Sequence, residues 1–216
     1  MRKKNGSGIF ICFIQKIFVR RKKVPCERKL FAKENQIRMS TVEKEKRKIV
    51  PILVGLIGFF ALTALDQLCK LWAIANLKGK ESLVLIEGVF QLTYLENKGA
   101  AFGILQGKGV ALVIITVVIL AAVVYCYIRT PMHKKFRLLR VLMVVIAAGA
   151  VGNMIDRIGR GYVVDFFYFI LIDFPIFNVA DIYVTCSVVV LALEVLFGLK
   201  DEDMTLLGNS LKLRRR

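Results

Sequence analysis

Residues 109–128, GVALVIITVVILAAVVYCYI, hold no charged side chain. The hydrocarbon core of a bilayer is about 30 Å thick and needs roughly 20 apolar residues in a helix. This run is long enough to cross it. Reading outward from it, three more runs have the same character, at about 49–65, 138–155 and 179–199; few charges interrupt them, among them Asp181 and Glu194 in the last. The chain of 216 residues is 56% hydrophobic, above the ~45–50% of soluble domains. Its mean hydropathy is +0.61. The expected architecture is mainly α, a polytopic membrane protein with four transmembrane helices. Its membrane domain covers 49–199, between a basic extension at 1–48 and a basic tail at 200–216.

Charge sets the orientation, because Lys and Arg concentrate in cytoplasmic segments. Residues 1–48 carry 16 Lys+Arg and 4 acids, and the link 129–140 carries five Lys+Arg and no acid. The segment 66–108 has five Lys and four acids, and 156–177 has two Arg and three Asp. Both termini are therefore expected in the cytoplasm and the two balanced loops outside. The net charge of +17 then reads as topology signal and attraction to anionic membrane lipid. No base-reading module accompanies it, so a nucleic-acid partner is not expected. Residues 1–38, with a short apolar run at 8–14, read as a disordered or membrane-surface extension upstream of a true start at Met39.

Several chemistries are excluded early. The five cysteines, Cys12, Cys26, Cys69, Cys126 and Cys186, form no CxxC pair, so neither a disulfide framework nor a zinc site is expected. The only histidine, His133, lies among Lys134, Lys135 and Arg137. That leaves no Ser-His-Asp triad. A Ser-Lys peptidase is set aside as well, since Ser82 is the only serine in the outer loops and its basic neighbours belong to a polar Lys80-Glu81 turn. No metal and no cofactor is expected.

The outer loops carry structure of their own. Apolar runs at 83–86 and 89–94 flank Glu87-Gly88 and read as a β-hairpin. Residues 161–172, rich in Val, Phe and Tyr, read as extended or surface-embedded chain. Together they make a small extracytoplasmic β-element.

Polar residues at membrane depth are costly and mark function by default. They collect at the outward end of the spans: Asp66 and Lys70 after the first, Asn97 closing the loop, Asn153, Asp156 and Arg157 ending the third. Asp165 follows, and Asn178 and Asp181 open the fourth. Some have structural readings. Asp66 and Lys70 are spaced as a helical ion pair. Asn178 suits a helix cap with Asp181 in the first turn. Asp156 beside Arg157 reads as mutual neutralisation. Gly149 and Gly152 allow close helix approach. Asp165, inside Val163-Val164-Asp165-Phe166-Phe167, has no such explanation. Two carboxyls brought together in apolar surroundings share one proton, one serving as base and the other as acid toward a water. A small proton-linked transporter is the alternative reading of intramembrane acids, although the middles of the first three spans are almost purely apolar.

Five ordered blocks then show a resemblance: Asp66-Gln67-Leu68-Cys69-Lys70, Asn97-Lys98-Gly99-Ala100-Ala101-Phe102-Gly103, Gly149 to Arg157, Gly161 to Phe166, and Pro175 to Asp181. Over about 49–199 the chain resembles the bacterial prolipoprotein signal peptidases (type II signal peptidases). It departs in Ala148, where a second glycine is frequent, and in its long extension. The resemblance implies an intramembrane aspartic endopeptidase of the bacterial inner membrane, acting as a monomer. Its substrates would be diacylglyceryl-modified prolipoproteins, cut just before the lipidated cysteine at the extracytoplasmic surface. It also implies Asp165 and Asp181 as catalytic residues, and Asn97, Asn153, Arg157 and Asn178 as lining the site. Asp66, Lys70 and Asp156 would be structural. The outer loops would cover the site as a lid.

Overall fold

The computed structural model describes residues 49–99 and 107–212. The readings for 1–48, including the start at Met39, lie outside the described residues, as do those for 100–106 and for the final arginines.

The first helix, α1, runs over Ile49–Leu77. A hairpin follows, β1 (Leu83–Ile86) and β2 (Phe90–Asn97). Next come α2 (Gly109–Arg129), α3 (Arg137–Arg160), β3 (Val163–Phe169), α4 (Val179–Leu193) and α5 (Asp201–Leu211). Four of these helices are long and apolar enough to cross a membrane. Their outward faces stay apolar and open: Ile57 is 69% exposed and Val110 77%. Water would not tolerate so much contiguous hydrocarbon, whereas lipid does. Helix α3 is central, with 44% of its spanning window buried against 6% for α2.

Helix α1 continues past Leu65, where its hydropathy falls, so Asp66 and Lys70 lie within it rather than after it. The charges do not end the helix because they are neutralised inside the protein, as described below. The extra turns have their own core: Ala73 and Leu77 pack with Leu92, Val164 and Phe166 of the sheet.

The sheet order is β1-β2-β3, all antiparallel. The hairpin turns at Glu87-Gly88 as its sequence indicates, with Gly88 at φ +69°. Gly161, at φ +80°, ends α3 in the left-handed region and turns the chain into β3. That turn puts Asp165 opposite Leu95, and Val163 opposite Asn97. Phe177 then bridges back to β3, its carbonyl accepting from the Phe166 and Phe167 amides at 3.0 and 2.8 Å. The return places Asn178 at the start of α4.

The tail, read from the sequence only as basic, begins with a helix that the sequence reading did not include, α5, whose first turn holds Asp201, Glu202 and Asp203. Asp203 pairs with Lys135 from the link before α3. Leu207, together with Leu199 before the helix, packs on Phe136, Leu139 and Met143. The Tyr125 hydroxyl donates to the Leu211 carbonyl at 2.7 Å.

Helices α3 and α4 meet through glycine. A Cβ on Gly149 would stand 2.6 Å from the Ala180 carbonyl oxygen and 3.2 Å from Tyr183 Cβ, whereas one on Gly58 would meet nothing within 4 Å. Overpacking a close contact costs about 1–3 kcal/mol. Gly149→Val should therefore lower the melting temperature of the detergent-solubilised protein, and Gly58→Val should leave it near the wild-type value. Equal effects of the two would contradict this packing.

Candidate active site

The site is built on a buried cation. Lys70 Nζ lies 2.9 Å from Asp66 Oδ2 and 2.9 Å from Asp156 Oδ2, with all three side chains fully buried. Its third partner is Asn153 Oδ1 at 2.8 Å. An ammonium has three donors, and all three are used. Asp156 also pairs with Arg160, one helical turn on, and accepts from the Val164 amide at 3.3 Å. The set Asp66, Lys70, Asp156 and Arg160 is thus neutral overall. Arg157 is not its member: the reading of Asp156 and Arg157 as a neutralising pair is corrected, because adjacent residues on a helix point to different faces. Gln67 locks the set further, its Nε2 donating to Asp66 Oδ2 at 3.1 Å and to the Gly152 carbonyl at 3.0 Å. A side chain on Gly152 would collide with the Asp66 carboxylate.

From this cluster the polar chain runs to the two candidate acids. Lys70 can only donate, so Asn153 must turn its Oδ1 toward it and its Nδ2 away. That Nδ2 donates to Asp181 Oδ1 at 2.8 Å. Asn178 caps α4: its Oδ1 accepts the Asp181 amide at 3.1 Å, and its own amide donates to Asp181 Oδ2 at 3.1 Å. This reciprocal cap leaves Asn178 Nδ2 free to donate to Asp165 Oδ1 at 2.6 Å, with a second contact to Asn153 Oδ1 at 3.1 Å. Asn97 accepts the Gly99 amide on Oδ1 at 2.9 Å and presents Nδ2 to Asp165 Oδ2 at 2.8 Å. Each of the three amide orientations is therefore dictated by a donor that has no alternative. Asp66 Oδ1 accepts the Ala180 amide at 3.0 Å, tying the cluster to the residue before Asp181.

Asp165 and Asp181 line the same cavity, about 920 Å³ in volume, together with Asn153, Arg157 and the apolar Phe177 and Val184. Asn97 lines it too. Arg157 reaches across to donate to the Gly99 carbonyl at 3.2 Å. Asp165 is 1% exposed. Burial pushes its carboxyl up to about 7, the charge of Asp181 adds to the rise, and the Asn97 and Asn178 amides and Lys70 pull against it. A carboxyl in that range holds a proton near neutrality.

All nine residues singled out from the sequence fall in or beside this site. Gln67 and Arg160 were not singled out. Arg160 was legible as the i+4 partner of Asp156, whereas the partners of Gln67 lie across the fold. Among the described residues no group of three or more His, Cys, Asp or Glu side chains is placed to hold a metal.

Removing Lys70 leaves two buried carboxylates facing one arginine. Breaking such a set costs about 3–5 kcal/mol. Lys70→Met should be strongly destabilised in thermal unfolding, and the charge-balanced Asp66→Asn/Lys70→Met should lose less. A double variant worse than the single one would show that charge balance is not what the cluster provides.

Residues 58–197 match a family model described as Signal peptidase (SPase) II. The lipoprotein signal peptidase of Streptococcus thermophilus (strain CNRZ 1066) is 42% identical over 137 residues, covering 63% of this chain and 88% of that protein. The lipoprotein signal peptidase of Clostridium tetani (strain Massachusetts / E88) is 40% identical over 159 residues, covering 72% and 94%. Among solved structures, a bacterial membrane enzyme determined by the in meso method at 2.3 Å resolution aligns with TM-score 0.61 and 34% identity, covering 68% of this chain and 92% of that one.

Proposed function

The chain belongs to the signal peptidase II family, and on that premise we infer that it removes signal peptides from prolipoproteins, with Asp165 and Asp181 as its catalytic dyad. The observation that carries the assignment of the dyad is the shared cavity: both carboxyls line one space and are bridged by Asn178 and Asn153. The protein is a multi-pass bacterial membrane peptidase. The transporter alternative has no support among its relatives.

The reaction proposed is water-mediated hydrolysis with one proton shared between the two acids. A water bound between them gives a proton to the ionised carboxylate as its oxygen bonds to the scissile carbonyl carbon. The protonated carboxyl passes its proton to the carbonyl oxygen. As the tetrahedral diol collapses, the newly protonated carboxyl gives its proton to the amide nitrogen, the other carboxylate takes one from a diol hydroxyl, and the C–N bond breaks. The dyad returns to its singly protonated state. Asn97, Asn153 and Asn178 do not titrate, so they hold the carboxyls in place whichever one carries the proton. Arg157 braces the cavity wall at Gly99.

The substrate is taken to carry diacylglycerol on the cysteine that follows the cut. That lipid holds the scissile bond at the membrane surface, and the enzyme's acids must sit at the same depth. Charge counting supports the outward side, with both termini cytoplasmic. The β-element and the strap from Phe169 to Phe177 border the site and would cover a bound peptide. The protein is proposed to work as a monomer.

Asp165→Asn and Asp181→Asn should each lower cleavage of a diacylglyceryl-modified precursor by about a thousandfold, within the range of acid–base effects, with membrane insertion unchanged. Near-normal cleavage by either purified variant would remove that residue from the dyad. In the wild type, the shared proton is present below about 7 and is lost as pH rises through the value of Asp165. The rate should therefore fall on the alkaline side of about pH 7. A rate that keeps rising to pH 9 would contradict a dyad that needs its proton.

A further inference from the structure

The cavity holding Asp165 and Asp181 adjoins another. A smaller polar cavity of about 400 Å³ is walled by Glu96, Lys98, Arg160, Tyr162 and three glycines. Glu96 and Lys98 line both spaces, which makes them neighbours across a shared wall. Their separation can be read along α3. Arg160 is seven residues beyond Asn153. At about 1.5 Å rise per residue, its level is roughly 10 Å farther toward the C-terminal end of that helix. Extended chain advances about 3.3–3.6 Å per residue, so the Arg160 wall of the second cavity lies about three residues of peptide beyond Asn153, which contacts Asp181, while its near wall at Glu96 borders the dyad's cavity.

The charges in its wall are unequal in what they leave over. Arg160 is engaged by Asp156. Glu96 is engaged by Lys78 at 2.8 Å, and the Tyr94 hydroxyl donates to the same oxygen at 3.1 Å. Lys98 is exposed and, among the described residues, has no acidic partner. Among the described residues that line the cavity, the uncompensated charge is therefore a single ammonium on a long flexible stem.

We propose that this cavity receives the mature side of the substrate, near the third residue after the scissile bond, and that Lys98 makes it favour an acidic over a basic side chain there. This rests on the peptidase reading and on the outward-facing orientation, since the mature segment leaves on that side. Lys98 is a specificity-determining residue in this account, with no part in the bond-breaking step.

The test uses the full-length protein in liposomes and three diacylglyceryl-modified precursors that differ only in Glu, Gln or Lys at the third mature position. Attraction and repulsion by one exposed charge are each modest. The expected kcat/KM ratio of Glu to Lys substrate is about fivefold at low salt, shrinking as ionic strength rises. In Lys98→Ala the ratio should approach one, and in Lys98→Glu it should invert. Taking the ratio within each variant cancels any general loss of activity. A wild-type ratio of one, or an unchanged ratio in Lys98→Ala, would overturn the proposal while leaving the peptidase reading intact. Failure of the wild type to cleave any of the three would remove both.

Discussion

One lysine holds the arrangement together. Lys70 lies fully buried between Asp66 and Asp156, and its third hydrogen goes to Asn153. An ammonium taken from water into this interior is expensive unless every donor is matched and the charge is balanced. Here both conditions hold, and they hold only if α1, α3 and the start of α4 keep one relative height. Asp66 reaches the Ala180 amide, Asp156 reaches the Val164 amide, and Gln67 reaches the Gly152 carbonyl. The cluster therefore fixes the register of three helices and the first residues of β3 at a single level.

The consequences run outward from that level. Because Lys70 claims the oxygen of Asn153, the nitrogen of Asn153 must face Asp181. Because Asn178 gives its oxygen to the helix cap, its nitrogen must face Asp165. Backbone and lysine thus orient neutral amides, and the amides orient the two carboxyls. A neutral intermediary matters here. A cation in direct contact would hold an acid ionised, whereas an amide positions it and leaves room for a shared proton.

Much of this was legible in the sequence. Four apolar runs are enough for the four spanning helices, and Glu87-Gly88 marks the hairpin. The cluster of polar residues at one end of the spans located the site. The end of α1 was misjudged because hydropathy falls at Asp66, while the helix depends on whether its charges find partners, and they are found on α3. The helix at 201–211 was hidden by the basic residues after it, although Asp201, Glu202 and Asp203 before Met204, Leu206 and Leu207 are a fair helix start. Spacing alone could not say that Asp165 on a strand and Asp181 on a helix share a cavity. That depends on the return of the chain through Phe177 to β3. The orientation of each amide was likewise beyond the sequence, since it follows from which donors surround it.

The central claim is that Asp165 and Asp181 hold one proton between them. Infrared difference spectroscopy of the full-length protein in lipid reads this directly, through the carbonyl stretch of a protonated carboxyl. The account predicts such a band at pH 6 that disappears as pH rises through about 7, is missing from Asp165→Asn, and titrates at lower pH in Asp181→Asn, where burial still raises Asp165 but the neighbouring charge is gone. A wild-type spectrum without the band at pH 6, or a band that survives unchanged in both variants, would contradict it.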